Sequence, residues 1–210
     1  MFIEESERVA AVISTFIPRE HISNVLDVGS SSYEFRTVVQ PHIEKNLFEP
    51  LKRAGCTVKH LDIKMADGVD ISVDLSNPKE FSFPLETFSL ILCTNILEHV
   101  QNREVFLKNL LKFAEKGAYV LFTVPRKYFK HDDPIDTMYR PTPQELSRSL
   151  LSVCSFKTLH EEILTVQSER YYLIKAKPFR SFPFQYQMYS WRRYSNAFRW
   201  KVSLLLIRIK

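Results

Sequence analysis

Strand and helix patterns alternate from about residue 24 to residue 153, and this alternation limits the fold more than any other feature of the sequence. Short apolar runs typical of buried strands begin at Asn24 and Phe88, and each is followed by apolar residues at helical spacing. Such alternation is typical of parallel strands joined by crossover helices. Near residues 157–166 and 171–177 two strand patterns follow one another, which indicates an antiparallel hairpin. We therefore predict an α/β protein whose parallel sheet ends in that hairpin.

Each further element has its own signal. Apolar residues between positions 2 and 17 recur at helical spacing before Pro18, which predicts an amphipathic helix over one sheet edge. Other helices are predicted at residues 32–53 with an interruption near Pro41, at 102–116 and at 143–151. The remaining strands are predicted at residues 57–63, 69–75, 88–95 and 118–124, with Pro125 ending the last one.

Length and composition predict one domain of ordinary size. The chain has 210 residues, 45% of them hydrophobic, with an acidic N-terminus unlike a signal peptide and no apolar run of about 18 residues. Cys56, Cys93 and Cys154 are odd in number and lack C-x-x-C spacing, which predicts a reduced, cytoplasmic protein without disulfides. No metal site is predicted, because the short cluster at residues 131–133 lacks further ligands.

Positive charge is concentrated at the C-terminus. Residues 179–210 carry seven Arg and Lys and no Asp or Glu, although the net charge of the whole chain is only +5. We therefore divide the chain into a domain over residues 1–178 and a basic, aromatic extension over residues 179–210. On a helix, one face of this extension would hold Trp191, Tyr194, Phe198, Val202, Leu205 and Ile209.

Three roles fit this face of the extension. Aromatic and basic residues beside an apolar stripe are typical of a helix that lies on an anionic membrane surface. The protein would then be cytoplasmic and peripheral to the inner face of a membrane. Alternatively, residues 190–210 pack on the domain or form a homodimer contact. Interleaved basic and aromatic residues also occur in nucleic-acid binding, which we consider the weaker interpretation.

The segment between Asn24 and Arg36 has the residues of a ligand site. Gly29 follows an apolar strand and allows positive φ and a close approach of the backbone to a ligand, and the serines at 30–32 can cap the next helix. A strand that leads through a small-residue turn into a helix is typical of nucleotide sites in α/β sheets. The pattern G-x-G-x-x-G is absent, so this segment alone does not identify the ligand.

The order of four motifs resembles the class I S-adenosylmethionine-dependent methyltransferases, specifically the methyltransferase type 11 group, over residues 20–178. The motifs are LDVGS at 26–30, HLDI at 60–63, VDISVDL at 69–75 and FSLILCTNILEHV at 88–100, whose L-E-H-V ending is the most specific. The resemblance implies a Rossmann-like, mostly parallel seven-stranded sheet with helices on both faces and a C-terminal antiparallel hairpin. It also implies S-adenosylmethionine as the cofactor.

The resemblance further implies which residues bind this cofactor. The turn after the first strand would hold the methionine group with backbone N–H groups and hydroxyls, Asp62 would accept the ribose hydroxyls, and Asp74 the adenine amine. Ser31 stands where many members have a second glycine, which adds a Cβ near the cofactor. The full predicted set is Asp27 for the charged amine, Gly29, Ser30, Ser31, Asp62, Ile63, Asp74, Leu75, Thr94, Asn95 and His99.

A long polar segment at residues 124–143 follows a central strand and is expected to bind the methyl acceptor. It resembles a segment of the type 11 group with spaced His, Pro, Asp and Arg residues. Transfer to a hydroxyl needs a base, and His131 has a suitable pKa range, with Asp133 to orient it or to act itself. In the alternative interpretation, Asp136 and Arg140 form a structural ion pair and His131 only packs against it.

These observations together predict a methyltransferase that uses S-adenosylmethionine. We expect O-methylation of a sugar, a glycan precursor or another small molecule. One alternative is an RNA methyltransferase that holds phosphates with the basic extension, and another is a non-catalytic scaffold that keeps the fold but has lost the cofactor.

Overall fold

The computed structural model describes residues 1–77, 87–131, 135–166 and 200–210. Within them, seven strands form one sheet in the order β3-β2-β1-β4-β5-β7-β6. Strands β1 to β5 are parallel, and β7 is antiparallel to both of its neighbours, which confirms the predicted fold class. The strands are β1 (Asn24–Val28), β2 (Thr57–Asp62), β3 (Ile71–Ser72), β4 (Phe88–Thr94), β5 (Ala114–Lys127), β6 (Phe156–Val166) and β7 (Trp200–Ile209).

The described helices agree with the sequence pattern except in two places, of which one is the helix expected at 102–116: it ends at Leu111, because β5 already begins at Ala114. The helices are α1 (Ile3–Phe16), α2 (Pro41–Ile43), α3 (Glu49–Arg53), α4 (Arg103–Leu111) and α5 (Pro143–Leu150). The region expected to be helical after β1 is divided, since wider π-helical turns at Phe35–Val39 and Glu44–Phe48 flank α2. Pro41 starts a new helix there because it has no N–H to donate to the preceding turn. Across the described part of the chain, every helix is too short or too polar to cross a membrane.

The sheet separates two hydrophobic cores. Alternate residues of each central strand face opposite sides, so that Val25 packs in one core and Leu26 in the other. The first core includes α1 and the helical region before β2, and the second includes α4 and α5. Helices therefore lie on both faces, as predicted.

Strand β7 corrects the prediction for the C-terminal extension. Residues Trp200–Ile209 are not helical but lie between β5 and β6, and the side chains of Val202 and Leu205 are fully buried there. An inner strand is apolar on both faces, and a short run of this kind also satisfies a helical pattern. The last residues of the extension are therefore part of the sheet. The expected strand at 171–177, the boundary at 178, and Trp191, Tyr194 and Phe198 lie outside the described residues.

Two strand limits also differ from the prediction. Pro125 does not end β5, which continues to Lys127 with a shift of register between these two residues. Proline has no N–H to donate to a neighbouring strand, and it is tolerated where the strand pairing is irregular. Strand β3 is only two residues long, so Asp74 and Leu75 lie in the loop that follows it.

Candidate active site

One cavity of about 500 Å³ opens at the carboxyl ends of β1, β2 and β4. Ligands bind at this edge in open α/β sheets. His131 lines the same cavity, whereas Asp133 lies outside the described residues. Every residue predicted to bind the cofactor lines it as well, namely Asp27, Gly29, Ser30, Ser31, Asp62, Ile63, Asp74, Leu75, Thr94, Asn95 and His99.

The turn after β1 depends on left-handed backbone geometry. Gly29 has φ +73°, and a Cβ at this position would collide with the side chain of Ile96. Its N–H donates a hydrogen bond to the carbonyl oxygen of Leu61 at 2.8 Å, which ties the turn to β2. Ser31 also lies in the left-handed region, with φ 56°. The position where many type 11 members have glycine therefore keeps a glycine-like conformation, at some cost in strain.

Asp62 joins this turn to the end of β2. Its Oδ2 accepts a hydrogen bond from the Ser31 N–H at 2.7 Å, and its Oδ1 accepts one from the Lys64 N–H at 3.0 Å. The side chain is buried at the cavity wall. A carboxylate oxygen has more than one lone pair, so each can accept a further hydrogen bond from a ligand.

Asp27 is held by a histidine that the sequence did not single out. The Asp27 Oδ2 lies 3.0 Å from His60 Nδ1, and both side chains are buried. The two residues are register partners on β1 and β2, and the ring of His60 packs edge-on against Phe48. This pairing orients the Asp27 carboxylate at the cavity. His60 was visible in the motif at 60–63, but only the register brings it to Asp27.

Arg36 places a buried positive charge beneath the turn. Its guanidinium donates hydrogen bonds to the carbonyl oxygens of Ser30 at 3.0 Å, Ser31 at 2.8 Å and Gly68 at 2.8 Å. The side chain is 1% exposed and lines the cavity, and no carboxylate among the described residues forms an ion pair with it. A buried cation of this kind suits an anionic ligand group. Sequence reasoning missed this residue, because an arginine in a predicted helix is usually solvated.

Asp74, Ile63 and Leu75 form the more open end of the cavity. The Asp74 Oδ1 accepts a hydrogen bond from the Ser76 N–H at 2.8 Å, and Ile63 is 62% exposed. Leu75 is buried. This end therefore offers one carboxylate and two apolar side chains to a flat group that enters from solvent.

The N-terminal helix contributes to the cavity, which the sequence did not predict. Asn95 follows β4 with φ 54°, and its Nδ2 donates a 2.7 Å hydrogen bond to Oε1 of the buried Glu5 on α1. This contact helps to place Met1 and Phe2 at the cavity wall. Helix α1 was expected to cover a sheet edge only. The sequence signal for this role was the acidic residues of its first turn. Such residues are common at helix N-termini because the helix dipole stabilises them there.

Glu98 is fully buried at the other end of the cavity. Neither carboxylate oxygen accepts a hydrogen bond from another described residue, and His99 Nε2 lies 3.7 Å from Oε1. Burial raises the pKa of Glu98 to about 8, and the nearby Glu5 charge adds to this rise, while its own backbone N–H and Arg140 oppose it. His99 Nδ1 lies 2.5 Å from the carbonyl oxygen of Ile135, an acceptor, so Nδ1 carries the proton.

His131 is held by an ion pair. Its Nδ1 lies 3.2 Å from Asp136 Oδ2, and its backbone N–H donates to the same oxygen at 3.0 Å. Arg140 forms a bidentate pair with Asp136, at 2.6 and 3.1 Å. Burial alone would raise the pKa of Asp136, but the hydrogen bonds from Arg140, His131 and Met138 hold it well below its usual range. The predicted Asp136–Arg140 pair is therefore present, and it positions His131 at the cavity.

Aromatic rings enclose this end of the cavity. The Tyr128 ring packs edge-on against His131, Phe2 and Trp200, with centroid distances of 5.1, 5.6 and 5.0 Å. Trp200 is the first residue of β7, so the C-terminal strand supports the loop that carries His131. A small apolar group and one polar atom can be held between these rings and the two histidines.

Comparisons with known proteins agree with this geometry. The sequence profile of a family described as "Methyltransferase domain" matches residues 2–163. A segment of 127 residues is 27% identical to norajmaline N-methyltransferase of Rauvolfia serpentina, and it covers 57% of this chain and 41% of that enzyme. The matched part thus spans less than half of the length of this relative.

Solved methyltransferases share the fold. Coclaurine N-methyltransferase bound to N-methylheliamine and SAH aligns with a TM-score of 0.55 and 14% identity, over 97% of this chain and 70% of that chain. A SAM-dependent methyltransferase from Archaeoglobus fulgidus aligns with a TM-score of 0.54 and 17% identity, over 97% and 94%. The predicted family and fold are confirmed. The chain therefore belongs to the methyltransferase-domain family, and it has the Rossmann-like fold of solved S-adenosylmethionine-dependent methyltransferases.

Proposed function

We propose that this protein transfers the methyl group of S-adenosylmethionine to a hydroxyl group of a small molecule, such as a sugar or a glycan precursor. The observation that carries the proposal is one cavity that is lined by all the predicted cofactor residues and by His131. A volume of about 500 Å³ is typical of small-molecule sites. Since the cofactor fills part of this space, only a small acceptor or a small part of one can enter.

The charged groups of the cavity suit the parts of the cofactor. Asp27, held by His60, would accept hydrogen bonds from the methionine ammonium group. The buried Arg36 would face the methionine carboxylate and balance its charge. Asp62 would accept the ribose hydroxyls, and Asp74 the adenine amine, with Ile63 and Leu75 on the two faces of the ring.

His131 is proposed to activate the acceptor. Its Nδ1 proton is directed to Asp136, so the lone pair is on Nε2, which can take the hydroxyl proton. The acceptor oxygen would then take the methyl group from the cofactor, and the electron pair of the broken C–S bond would stay on sulfur. Asp133, which lies outside the described residues, remains a predicted partner in this step.

The burial of β7 supports the small-molecule acceptor over RNA. Val202 and Leu205, expected on a surface face of the basic extension, lie inside the sheet. For Trp200–Ile209 the same burial argues against a membrane-bound or dimer-forming helix. The cytoplasmic location and contacts through the rest of 190–210 stay predictions.

Calorimetric titration with S-adenosylmethionine tests the cofactor site. Asp62→Ala removes the acceptor of the ribose hydroxyls and of the Ser31 N–H, so we expect an affinity about 10- to 100-fold lower, or roughly 1–3 kcal/mol. Glu104→Ala, which removes an exposed carboxylate of α4, serves as the control and leaves the affinity unchanged. Absence of binding by the unaltered chain would instead favour the scaffold alternative.

Release of S-adenosylhomocysteine in the presence of a panel of small hydroxyl and amine acceptors tests the reaction. We expect His131→Ala to keep cofactor affinity and to lower turnover by about 10²-fold or more. If turnover is not lowered, His131 is not the base and only packs against the Asp136–Arg140 ion pair. A preference for amines, or for RNA with steep salt dependence, would overturn the proposed acceptor.

A further inference from the structure

Three side chains with metal-binding atoms meet at the acceptor end of the cavity. One ligand atom from each of Glu98, His99 and His131 lies within 4.8 Å of the other two. All three residues line the cavity. In the part of the chain that the structure describes, this is the one such group of three His, Cys, Asp or Glu side chains.

Hydrogen bonds prepare both histidines to act as ligands. His99 donates its Nδ1 proton to the carbonyl oxygen of Ile135, and the Nδ1 of His131 lies beside Asp136 Oδ2. In both rings the lone pair is therefore on Nε2. Ligating histidines in proteins usually have this arrangement, in which a carbonyl or carboxylate fixes the tautomer and the ring orientation.

Glu98 supplies the second, independent observation. Its side chain is 0% exposed, and neither oxygen accepts a hydrogen bond from another described residue. Its Oε1 lies 3.7 Å from His99 Nε2, which carries a lone pair and cannot donate to it in this tautomer. Two lone pairs that face each other in a buried site need a proton or a cation between them. A metal cation would satisfy both atoms at once.

We propose that Glu98, His99 and His131 bind a first-row divalent transition-metal ion, with its remaining coordination positions open to the cavity. Two imidazole nitrogens and one carboxylate suit Zn²⁺, Mn²⁺, Fe²⁺ or Co²⁺, whereas Mg²⁺ and Ca²⁺ prefer oxygen ligands alone. The ligands are far apart in the sequence, because Glu98 and His99 precede α4 whereas His131 follows β5. Short-range spacing therefore did not predict the site.

The role of the ion in catalysis rests on the proposed function, although its binding does not. An ion at this position would hold the acceptor oxygen and lower the pKa of its hydroxyl group. The ion would use the Nε2 lone pair of His131. Metal binding and general-base action by His131 therefore exclude one another, and the presence of metal decides between them.

Titration of the tag-free chain with Co²⁺, followed by its visible absorption and by calorimetry, tests the site. We expect one equivalent to bind, and His99→Ala and His131→Ala each to lower the affinity at least about 10-fold. His160→Ala is the matched control, because His160 Nε2 also lies near a carboxylate, at 3.4 Å from Glu162 Oε1, but outside any group of three. It should leave Co²⁺ binding unchanged.

Binding of S-adenosylmethionine is measured on the same variants without metal. Thermal unfolding shows whether each variant is folded, because His99 is itself a predicted cofactor residue, and cofactor binding by His131→Ala tests the proposed function separately from the metal site. No stoichiometric Co²⁺ binding up to millimolar concentration would overturn the metal proposal and leave the cofactor site intact. Equal Co²⁺ affinity in the two variants and in the control would overturn it as well.

Discussion

The two halves of the sheet border the cavity in different ways. On the β1–β2–β3 half, each predicted cofactor residue lies at the end of its strand or in the turn that follows. The contacts there join neighbouring strands, as when Asp62 accepts the Ser31 N–H. On the β5–β7–β6 half, chain order and spatial order differ, because β7 lies between two strands that precede it. There Trp200 packs against Tyr128, far away in sequence. The first half can be inferred from local order, whereas the second depends on long-range pairing.

The largest effect is expected where long-range pairing is most buried. Leu205→Asp would bury an unpaired carboxylate in β7, and we expect it to lower the free energy of unfolding by at least about 4 kcal/mol, enough to unfold the chain. Lys210→Asp, at an exposed position just after β7, is the control. Chemical denaturation measures both. A folded Leu205→Asp variant would mean that β7 is not an inner strand.

On the β1–β2–β3 half, the comparable buried residue is Arg36. Arg36→Met leaves three carbonyl oxygens without their donor, so we expect a loss of about 3 kcal/mol in stability and weaker cofactor binding. Arg53→Met removes a largely exposed arginine and should change neither quantity. If calorimetry shows equal cofactor affinity in Arg36→Met, the turn keeps its shape without the guanidinium.

Glu98 should make the stability of the protein depend on pH. Burial raises its pKa to about 8 in the folded chain, against 4.5 for an exposed glutamate, so the folded state binds the proton more tightly. The free energy of unfolding is therefore highest below about pH 4.5 and falls as the pH rises toward 8. With chelator present, Glu98→Gln should be more stable than the parent at pH 8, by on the order of 2 kcal/mol, and similar at pH 4.5. Denaturation curves for Glu104→Gln, at an exposed site, should keep the pH dependence of the parent, because this variant retains Glu98.

The smallest effect is expected at Ser31. Ser31→Gly relieves the strain of φ 56° but makes the unfolded chain more flexible, so we expect a net gain below about 1 kcal/mol. Ser32→Gly is the matched change, because the Ser32 hydroxyl accepts the Phe35 N–H and the variant should lose stability. Thermal melting compares the two. A destabilised Ser31→Gly would show that the serine side chain itself supports the turn.

The sequence predicted what depends on local order. The alternation of strands and helices led to the sheet, and the order of four motifs led to the residues around the cofactor pocket. It did not predict His60 beside Asp27, since parallel register creates that contact. It placed His99 and His131 at the same site, but it did not predict that Glu98 would join them in one cluster.

Strand β7 failed as a prediction for a related reason. Its apolar residues satisfy a helical face as well as a strand buried on both sides, and only its neighbours decide between the two. Periodicity measured on one segment cannot include the partners of that segment. The same limit applies to Phe2, whose place at the cavity follows from where α1 docks.

The position of β7 also sets the order in which the chain can fold during synthesis. Among the described residues, strand β6 pairs with β7 alone, and β7 lies later in the chain. While a ribosome still holds residues 200–209, β7 cannot yet pair with β5 or with β6. The strands β1, β2 and β3 have by then already been synthesised. Closing the sheet must then wait for a long-range pairing, a slow step that leaves apolar edges exposed to chaperones or to aggregation.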